Sequence, residues 1–254
     1  MFRTDTRAAK KEGEADKGGS LFYLFSYPAA LLFGIGLSLL KRTGRLKVVH
    51  QERIPAWQRN LILACNHPSL LEPFLIPPLF LREYVLRPSK FLPWSVADKG
   101  NFYDPWYFFW LRPRLIPLER GASWRQKYSQ VTALRKMQNV LEGGGRIVIF
   151  PEGTRTFKAI LNGGVRYSKT GKVLGKLCSG AAGIALRRTS TVVPVWIEGS
   201  ERVLPSGRFP LPLFWKHRIR IAIGEPLSFP KDATLQEATE KLARALLELA
   251  DAEA

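Results

Sequence analysis

A chain of 254 residues with 46% apolar side chains is long enough to bury one substantial core, and its 39 Lys and Arg against 21 Asp and Glu leave a formal net charge of +18. Such a charge needs an anionic partner: nucleic acid, lipid headgroups or a phosphorylated substrate. Two cysteines, Cys65 and Cys178, lie in apolar or small-residue stretches expected in the core and make no disulfide framework; three scattered histidines give no metal-ligand spacing; and Gly-x-Ser-x-Gly, Gly-x-Gly-x-x-Gly and Walker-type words are missing.

Residues 1–20 are polar and charge-mixed, the composition of a disordered tail. Leu21 to Leu40 carries no charge, and a helix of that length just crosses a bilayer's hydrocarbon. Pro28, Gly34 and Gly36 interrupt the run, so the segment 21–45 is expected as a membrane-associated helical element, whether a kinked spanning helix, a re-entrant pair or an interfacial anchor, with a buried core helix as the alternative. The charge-mixed stretch before it argues against a cleavable signal peptide. Lys41, Arg42, Arg45 and Lys47 follow at once, which places the main domain, residues 46–254, on the cytoplasmic side.

Beyond that point strand-like and helix-like stretches alternate. Arg59 to Cys65, Arg146 to Phe150, Val192 to Glu198 and Arg218 to Ile223 are short β-rich apolar runs. Trp124 to Glu142 has Tyr128, Val131, Leu134, Met137 and Leu141 at helical spacing and stops at Gly143-Gly144-Gly145. Leu174 to Arg188 and Leu235 to Ala250 read as further helices. The alternation predicts an α/β layered domain with a mostly parallel β-sheet flanked by helices. The basic segment Lys158 to Lys176 reads as a mobile loop. Two aromatic clusters, Trp106 to Trp110 and Phe209 to Trp215, adjoin Arg112, Arg114, Lys216 and Arg218, a pairing suited either to a headgroup boundary or to the core. Charge is uneven: residues 110–190 hold sixteen basic side chains against three acids, whereas residues 231–254 hold three against six.

Two words stand at expected strand ends, where α/β folds gather function. Asn66-His67-Pro68-Ser69-Leu70-Leu71-Glu72-Pro73 follows the strand ending at Cys65, and Pro151-Glu152-Gly153-Thr154-Arg155 follows Phe150. The first offers an imidazole and a carboxylate five positions on. A histidine has the pKa nearest neutrality for taking a proton from an alcohol, and a carboxylate on its other nitrogen fixes the tautomer and stabilises the imidazolium. His67 and Glu72 suit those two roles. Arg155, Gly153 and the turn around them can supply the cation and backbone N–H donors that hold a phosphate.

In this order and about eighty residues apart, the two words resemble the glycerolipid acyltransferase family, whose best-known member acylates lysophosphatidic acid. The family's first block, Asn-His-x-Ser-x-x-Asp, is similar to Asn66, His67 and Ser69 with Glu72 where aspartate is usual. A glutamate's extra methylene moves the carboxylate by roughly an ångström, so the loop must compensate. Leu115 to Arg120 resembles the second block and makes Arg120 an acceptor-phosphate candidate. Phe150 to Arg155 matches the third, which implies acceptor binding by Glu152, Gly153, Thr154 and Arg155, with Asn66 and Ser69 also at the substrate; Val193-Pro194-Val195 resembles the fourth. The resemblance spans roughly residues 48–225.

It implies direct transfer of a fatty acyl group from acyl-CoA or acyl-carrier protein to the hydroxyl of a lysophospholipid, 1-acylglycerol-3-phosphate above all, with no cofactor or metal beyond the donor substrate. The expected partners are membrane lipids, the lysophospholipid acceptor and the thioester donor, and no nucleic acid, because no recognition module accompanies the charge. Another lysophospholipid or a lyso-aminolipid as acceptor, and a non-enzymatic basic lipid-binding protein, are the alternatives. Phe74 to Phe80 is the candidate for an acyl-chain ruler.

Overall fold

The computed structural model describes residues 19–87, 91–109, 111–161, 163–188, 190–205, 214–230 and 232–252. The tail expected over residues 1–20 lies, through residue 18, outside the described residues, as do Trp110 and the Phe209 to Leu213 portion of the second aromatic cluster. In chain order, helix α1 (Gly19–Arg42) precedes β1 (Leu46–Val49), β2 (Leu61–Cys65), the short helices α2 (Glu72–Leu75) and α3 (Leu81–Leu86), β3 (Trp94–Asp98), β4 (Leu115–Leu118), α4 (Trp124–Glu142), β5 (Arg146–Ile149), α5 (Thr156–Leu161), β6 (Val165–Tyr167), β7 (Val173–Gly175), α6 (Gly180–Arg188), β8 (Thr191–Glu198), α7 (Ser200–Val203), β9 (Ile219–Ile223) and α8 (Leu235–Asp251).

Seven strands form one sheet in the order β1-β9-β8-β2-β5-β3-β4. β2 lies at its centre, parallel to β5 (Leu61↔Arg146 through Ala64↔Ile149) and to β8 (Leu61↔Thr191 through Cys65↔Val195). All five β2 residues are buried, the continuous apolar run expected of a strand covered on both faces. β9 joins β8 antiparallel, and β1 runs parallel to β9, so these two strands oppose the other five. The β8–β9 ladder ends at Val195↔Ile223 for a covalent reason: at the next pair Gly224 N–H donates to the Pro194 carbonyl at 2.9 Å, but proline has no N–H to return.

Side-chain alternation divides the core. Ile62, Ala64, Ile147, Ile149 and Val192 pack with residues of α4, α6 and α8. Leu61, Leu63, Cys65, Val148, Val193 and Val195 face the other way, onto Leu37 of α1 and the segment Leu71 to Phe80. The long helices start where the sequence supplies caps. Ser123 with Gln126 and Thr234 with Glu237 form reciprocal capping boxes at α4 and α8.

The connection leaving β2 runs to β3 across one face of the sheet, and that leaving β5 runs to β8 across the other. A crevice opens where neighbouring strands send their chains in opposite directions, here at the carboxyl ends of β2 and β5. Both sequence words occupy it.

Four sequence expectations change. α1 is one continuous helix through Pro28, which excludes a re-entrant pair. Lys158 to Lys176 is not a loop: it holds most of α5 and the antiparallel β6–β7 hairpin, tied to α8 by a two-pronged Arg166–Glu240 pair at 2.7 Å and by Asp251, which accepts from the backbone N–H groups of Lys169 and Thr170. The helix expected from Leu174 starts at Gly180, because Val173 to Gly175 pairs as β7; β-pairing with Val165 to Tyr167 outweighs the helical spacing. Cys178 is exposed rather than in the core. β1 and β3 escape the sequence reading because one is short and the other is half-buried throughout, without a clear apolar run.

The turn after β8 is the tightest point near the crevice. Gly199 has φ 83°, and a β-carbon there would stand 2.1 Å from the Arg218 carbonyl oxygen, a backbone atom that cannot rotate away. Gly199→Ala is predicted to lower unfolding free energy by about 2–4 kcal/mol, the sum of a left-handed alanine and an overpacked contact. The check is urea unfolding, with a lower midpoint at unchanged slope.

Candidate active site

The crevice is built around two buried carboxylates. Glu72 opens α2 and is 0% exposed. Its Oε2 accepts from His67 Nδ1 at 2.8 Å, and its Oε1 accepts from Ser69 Oγ at 2.7 Å and from Ser200 Oγ at 2.7 Å. The Ser69 backbone N–H reaches both oxygens, at 3.1 and 3.2 Å. With Nδ1–H bound to the carboxylate, Nε2 is the ring nitrogen left for chemistry. Phe150 stacks on the imidazole with ring centroids 4.3 Å apart, which limits the ring to one plane. The extra methylene of glutamate is thus accommodated: the dyad distance is that of a good hydrogen bond.

Glu152 is the second buried carboxylate. Its Oε1 accepts from His67 N–H at 2.8 Å and from Thr156 Oγ1 at 2.8 Å, and its Oε2 accepts from Gly175 N–H at 2.8 Å. Burial raises its pKa above the ordinary carboxylate value, and these donors oppose the rise. In return the His67 carbonyl accepts from Thr156 N–H at 2.9 Å. Both backbone groups of His67 are therefore held by the loop after β5. Gly153 completes that turn at φ 66°, and a β-carbon on it would stand 2.9 Å from Cys178 Sγ.

Asn66 holds the other side. Its amide donates to the Ile197 carbonyl at 2.8 Å and accepts from Ile197 N–H at 2.6 Å, fastening the β2 loop to β8. Asn66, Ser69 and Glu152, expected from the resemblance at the substrate, have side-chain hydrogen bonds within the chain, to Ile197, to Glu72, and to His67, Thr156 and Gly175 respectively. Arg120, Thr154 and Arg155 stand on the cavity side of the site. They share with His67 the wall of a cavity of about 730 Å³, joined there by Lys158. The Arg155 guanidinium lies 4.8 Å from the Phe157 ring centroid, a cation–π contact that sets its direction.

The rest of the cavity is mainly apolar. Phe22, Ser26, Ala29, Ala30 and Phe33, on one face of α1, wall it opposite Phe74, Pro77 and Pro78. Phe33 stacks on Phe74 at 5.8 Å. The segment named as an acyl-chain ruler does contribute to the wall through Phe74, Pro77 and Pro78, whereas Phe80 is fully buried beneath, against Arg146. Both α1 and Ser200 escaped the sequence reading as site elements. A serine following Glu198-Gly199 has no motif around it, and an uncharged helix gives no sign that one of its faces lines a cavity.

Cys65 stands one residue before Asn66 but is buried with its thiol pKa pushed upward by that burial, the opposite of what a nucleophile needs.

A family profile described as Acyltransferase matches residues 45–198. The chloroplastic 1-acyl-sn-glycerol-3-phosphate acyltransferase LPAT1 of Arabidopsis thaliana is 23% identical over 209 residues, 80% of this chain and 49% of that protein. A taffazin of Dictyostelium discoideum is 26% identical over 71% of this chain and 60% of its own length. The chain therefore spans about half to three-fifths of these curated relatives. Among solved structures, the 1-acyl-sn-glycerophosphate acyltransferase PlsC of Thermotoga maritima superposes with a TM-score of 0.61 at 21% identity, covering 90% of this chain and 80% of that one, a likeness of fold. With a His–Glu dyad at the carboxyl end of the central strand and the family profile running over more than half its length, the chain belongs to the acyltransferase family.

Proposed function

We propose that this chain is a membrane-associated O-acyltransferase that moves a fatty acyl group from acyl-CoA or acyl-carrier protein to the hydroxyl of a lysophospholipid, above all 1-acylglycerol-3-phosphate. The observation that carries the reading is the 2.8 Å His67–Glu72 contact on the wall of a largely apolar cavity that also bears Arg120, Arg155 and Lys158. Apolar wall suits an acyl chain, and the cations suit phosphate.

The acceptor oxygen bonds to the thioester carbonyl carbon while His67 Nε2 takes its proton. The tetrahedral adduct then expels the thiolate, which recovers that proton from the imidazolium, leaving an ester and a free thiol. Glu72, bonded to His67 Nδ1, stabilises the imidazolium. His67→Ala is expected to cut turnover by about a hundred- to ten-thousand-fold in a chain that still folds. Thioester consumption followed with lysophosphatidic acid decides it, and near-parental turnover refutes the mechanism.

Acceptor recognition is assigned to Arg155, with Arg120 on the wall of the same cavity. Arg155→Ala should lower kcat/KM on lysophosphatidic acid by about ten- to a hundredfold, the worth of a charge-assisted hydrogen bond, and Arg155→Lys should recover only part. Monoacylglycerol of the same chain length is the control. An equal loss on both acceptors moves Arg155 to donor binding or to the turn itself.

Membrane association is proposed through α1, one helix long and apolar enough to cross a bilayer. Phe22 and Ser26 on its cavity face are buried, whereas Leu24, Leu32, Ile35 and Leu39 on the outward side are 60–70% exposed. Phe109, exposed beyond the helix, packs edge-on against Phe25 at 6.3 Å and extends the same apolar surface toward Trp106, which is 78% exposed. Lys41 and Arg42 close the helix at its C-terminal end and favour anionic, cytoplasmic-facing lipid. Replacing Leu24, Leu32 and Ile35 together by glutamine should weaken vesicle binding by roughly a hundredfold at about 1 kcal/mol for each partly inserted side chain. Flotation with vesicles measures it, and undiminished binding in high salt would place the contact elsewhere.

A further inference from the structure

We propose that Ser200 is a positioning residue for the His67–Glu72 dyad, a hydroxyl supplied from the chain leaving β8 that locks the carboxylate in the orientation the imidazole needs. This rests on the acyl-transfer reading of the site and names a residue that neither sequence word contains.

Without Ser200, the remaining contacts to Glu72 come from its own loop. Ser69 is three residues away and His67 five, so both ride on the same short stretch of chain as Glu72 and move with it. Ser200 belongs to a different element. It opens α7 directly after β8, is 0% exposed, and gives its hydroxyl proton to Glu72 Oε1 at 2.7 Å across 128 residues of sequence. Its own position is heavily determined. Asn66 grips Ile197 through both of its amide atoms, and Gly199 turns the chain at φ 83° against the Arg218 carbonyl. The serine is therefore a fixed point on the sheet rather than part of the loop.

Glutamate makes such a point useful. It has one more rotatable bond than aspartate, and a carboxylate held only by Ser69 and His67 retains freedom to rotate its two oxygens between them. A donor aimed at Oε1 from outside the loop leaves Oε2 facing His67 Nδ1. Ser200 is fully buried and stands off the cavity wall, so its effect is assigned to the chemical step and not to binding.

The test is a double-mutant cycle in the full chain, combining Ser200→Ala with Glu72→Asp. Ser200→Ala should lower kcat by about ten- to a hundredfold, the loss of one hydrogen bond to a charged group, with KM for either substrate unchanged. In the Glu72→Asp background the shorter carboxylate no longer spans His67 and Ser200, and the same substitution should cost about twofold or less, the pair being strongly non-additive. Ser200→Cys, nearly isosteric with a weaker donor, should fall between and keeps the test open should the alanine variant unfold. Imidazole nitrogen NMR supplies a measurement independent of turnover: neutral His67 is expected almost wholly as the Nδ1–H tautomer in the parent, with the ratio of tautomers falling several-fold in Ser200→Ala and Ser200→Cys. A parent that turns over no thioester while the tautomer ratio shifts as stated would overturn the acyltransfer reading and leave the positioning role standing. Equal kcat losses in both backgrounds, a loss confined to KM, or an unchanged tautomer ratio in both serine variants would each overturn it.

Discussion

Two carboxylates carried below the surface, Glu72 entirely and Glu152 nearly so, set the terms for the open end of the sheet. A buried carboxylate is tolerated only if donors replace the water it has lost. Glu72 draws those donors from the β2 loop and from Ser200 at the start of α7; Glu152 draws them from the β2 loop, from α5 and from β7. Satisfying two charges therefore requires four separate stretches of chain to arrive at one place. His67 lies between them, its ring held by one carboxylate and its backbone N–H by the other.

That requirement explains features remote from the chemistry. Gly175 can serve Glu152 only if the β6–β7 hairpin is anchored, and the anchors are Arg166 on Glu240 and the Asp251 carboxylate on the hairpin turn, both reaching to α8. Exposed charge pairs of this kind contribute little stability singly. Their consequence here is positional: they tie a hairpin that has only three paired residues per strand to a helix whose apolar face is packed into the core. A hairpin that small is marginal on its own.

How much of this was legible in the sequence follows from how local each signal is. β2, β5, β8 and β9 announce themselves as apolar runs because a strand covered on both faces needs no polar alternation. The His67–Glu72 contact is legible because both partners stand in one short word of sequence. The contacts of Asn66, Ser69 and Glu152 were not, since residue type marks them as polar and only the fold shows that Asn66 and Glu152 spend their polar atoms on neighbouring strands and loops and Ser69 on the carboxylate of its own loop. Ser200 was invisible for the same reason in stronger form, being brought to Glu72 by strand order alone. The Lys158 to Lys176 stretch misled because charge density resembles a solvated loop, whereas its hairpin is held by backbone pairing and by acids near the other end of the chain.

α1 carries the largest consequence of tertiary context. Read alone it is an apolar segment that needs covering all round; in the fold, one face lines the cavity beside the dyad and the opposite face is left bare. On the proposed reading those two facts are connected. Moving a lyso-lipid's chain from bilayer to enzyme through water costs about 0.8 kcal/mol for each methylene exposed, which for a long chain outweighs any hydrogen bond the headgroup can gain. A wall one helix thick, with hydrocarbon outside and the acyl cavity inside, shortens that passage to the edge of a single helix. Gly34, whose missing side chain lets Leu81 of α3 approach the helix backbone, keeps α1 close enough to the domain to act as such a wall. The same closeness makes removal of α1 a poor way to study membrane binding by itself, because a chain cut before Lys41 would lose its anchor and one side of its cavity together.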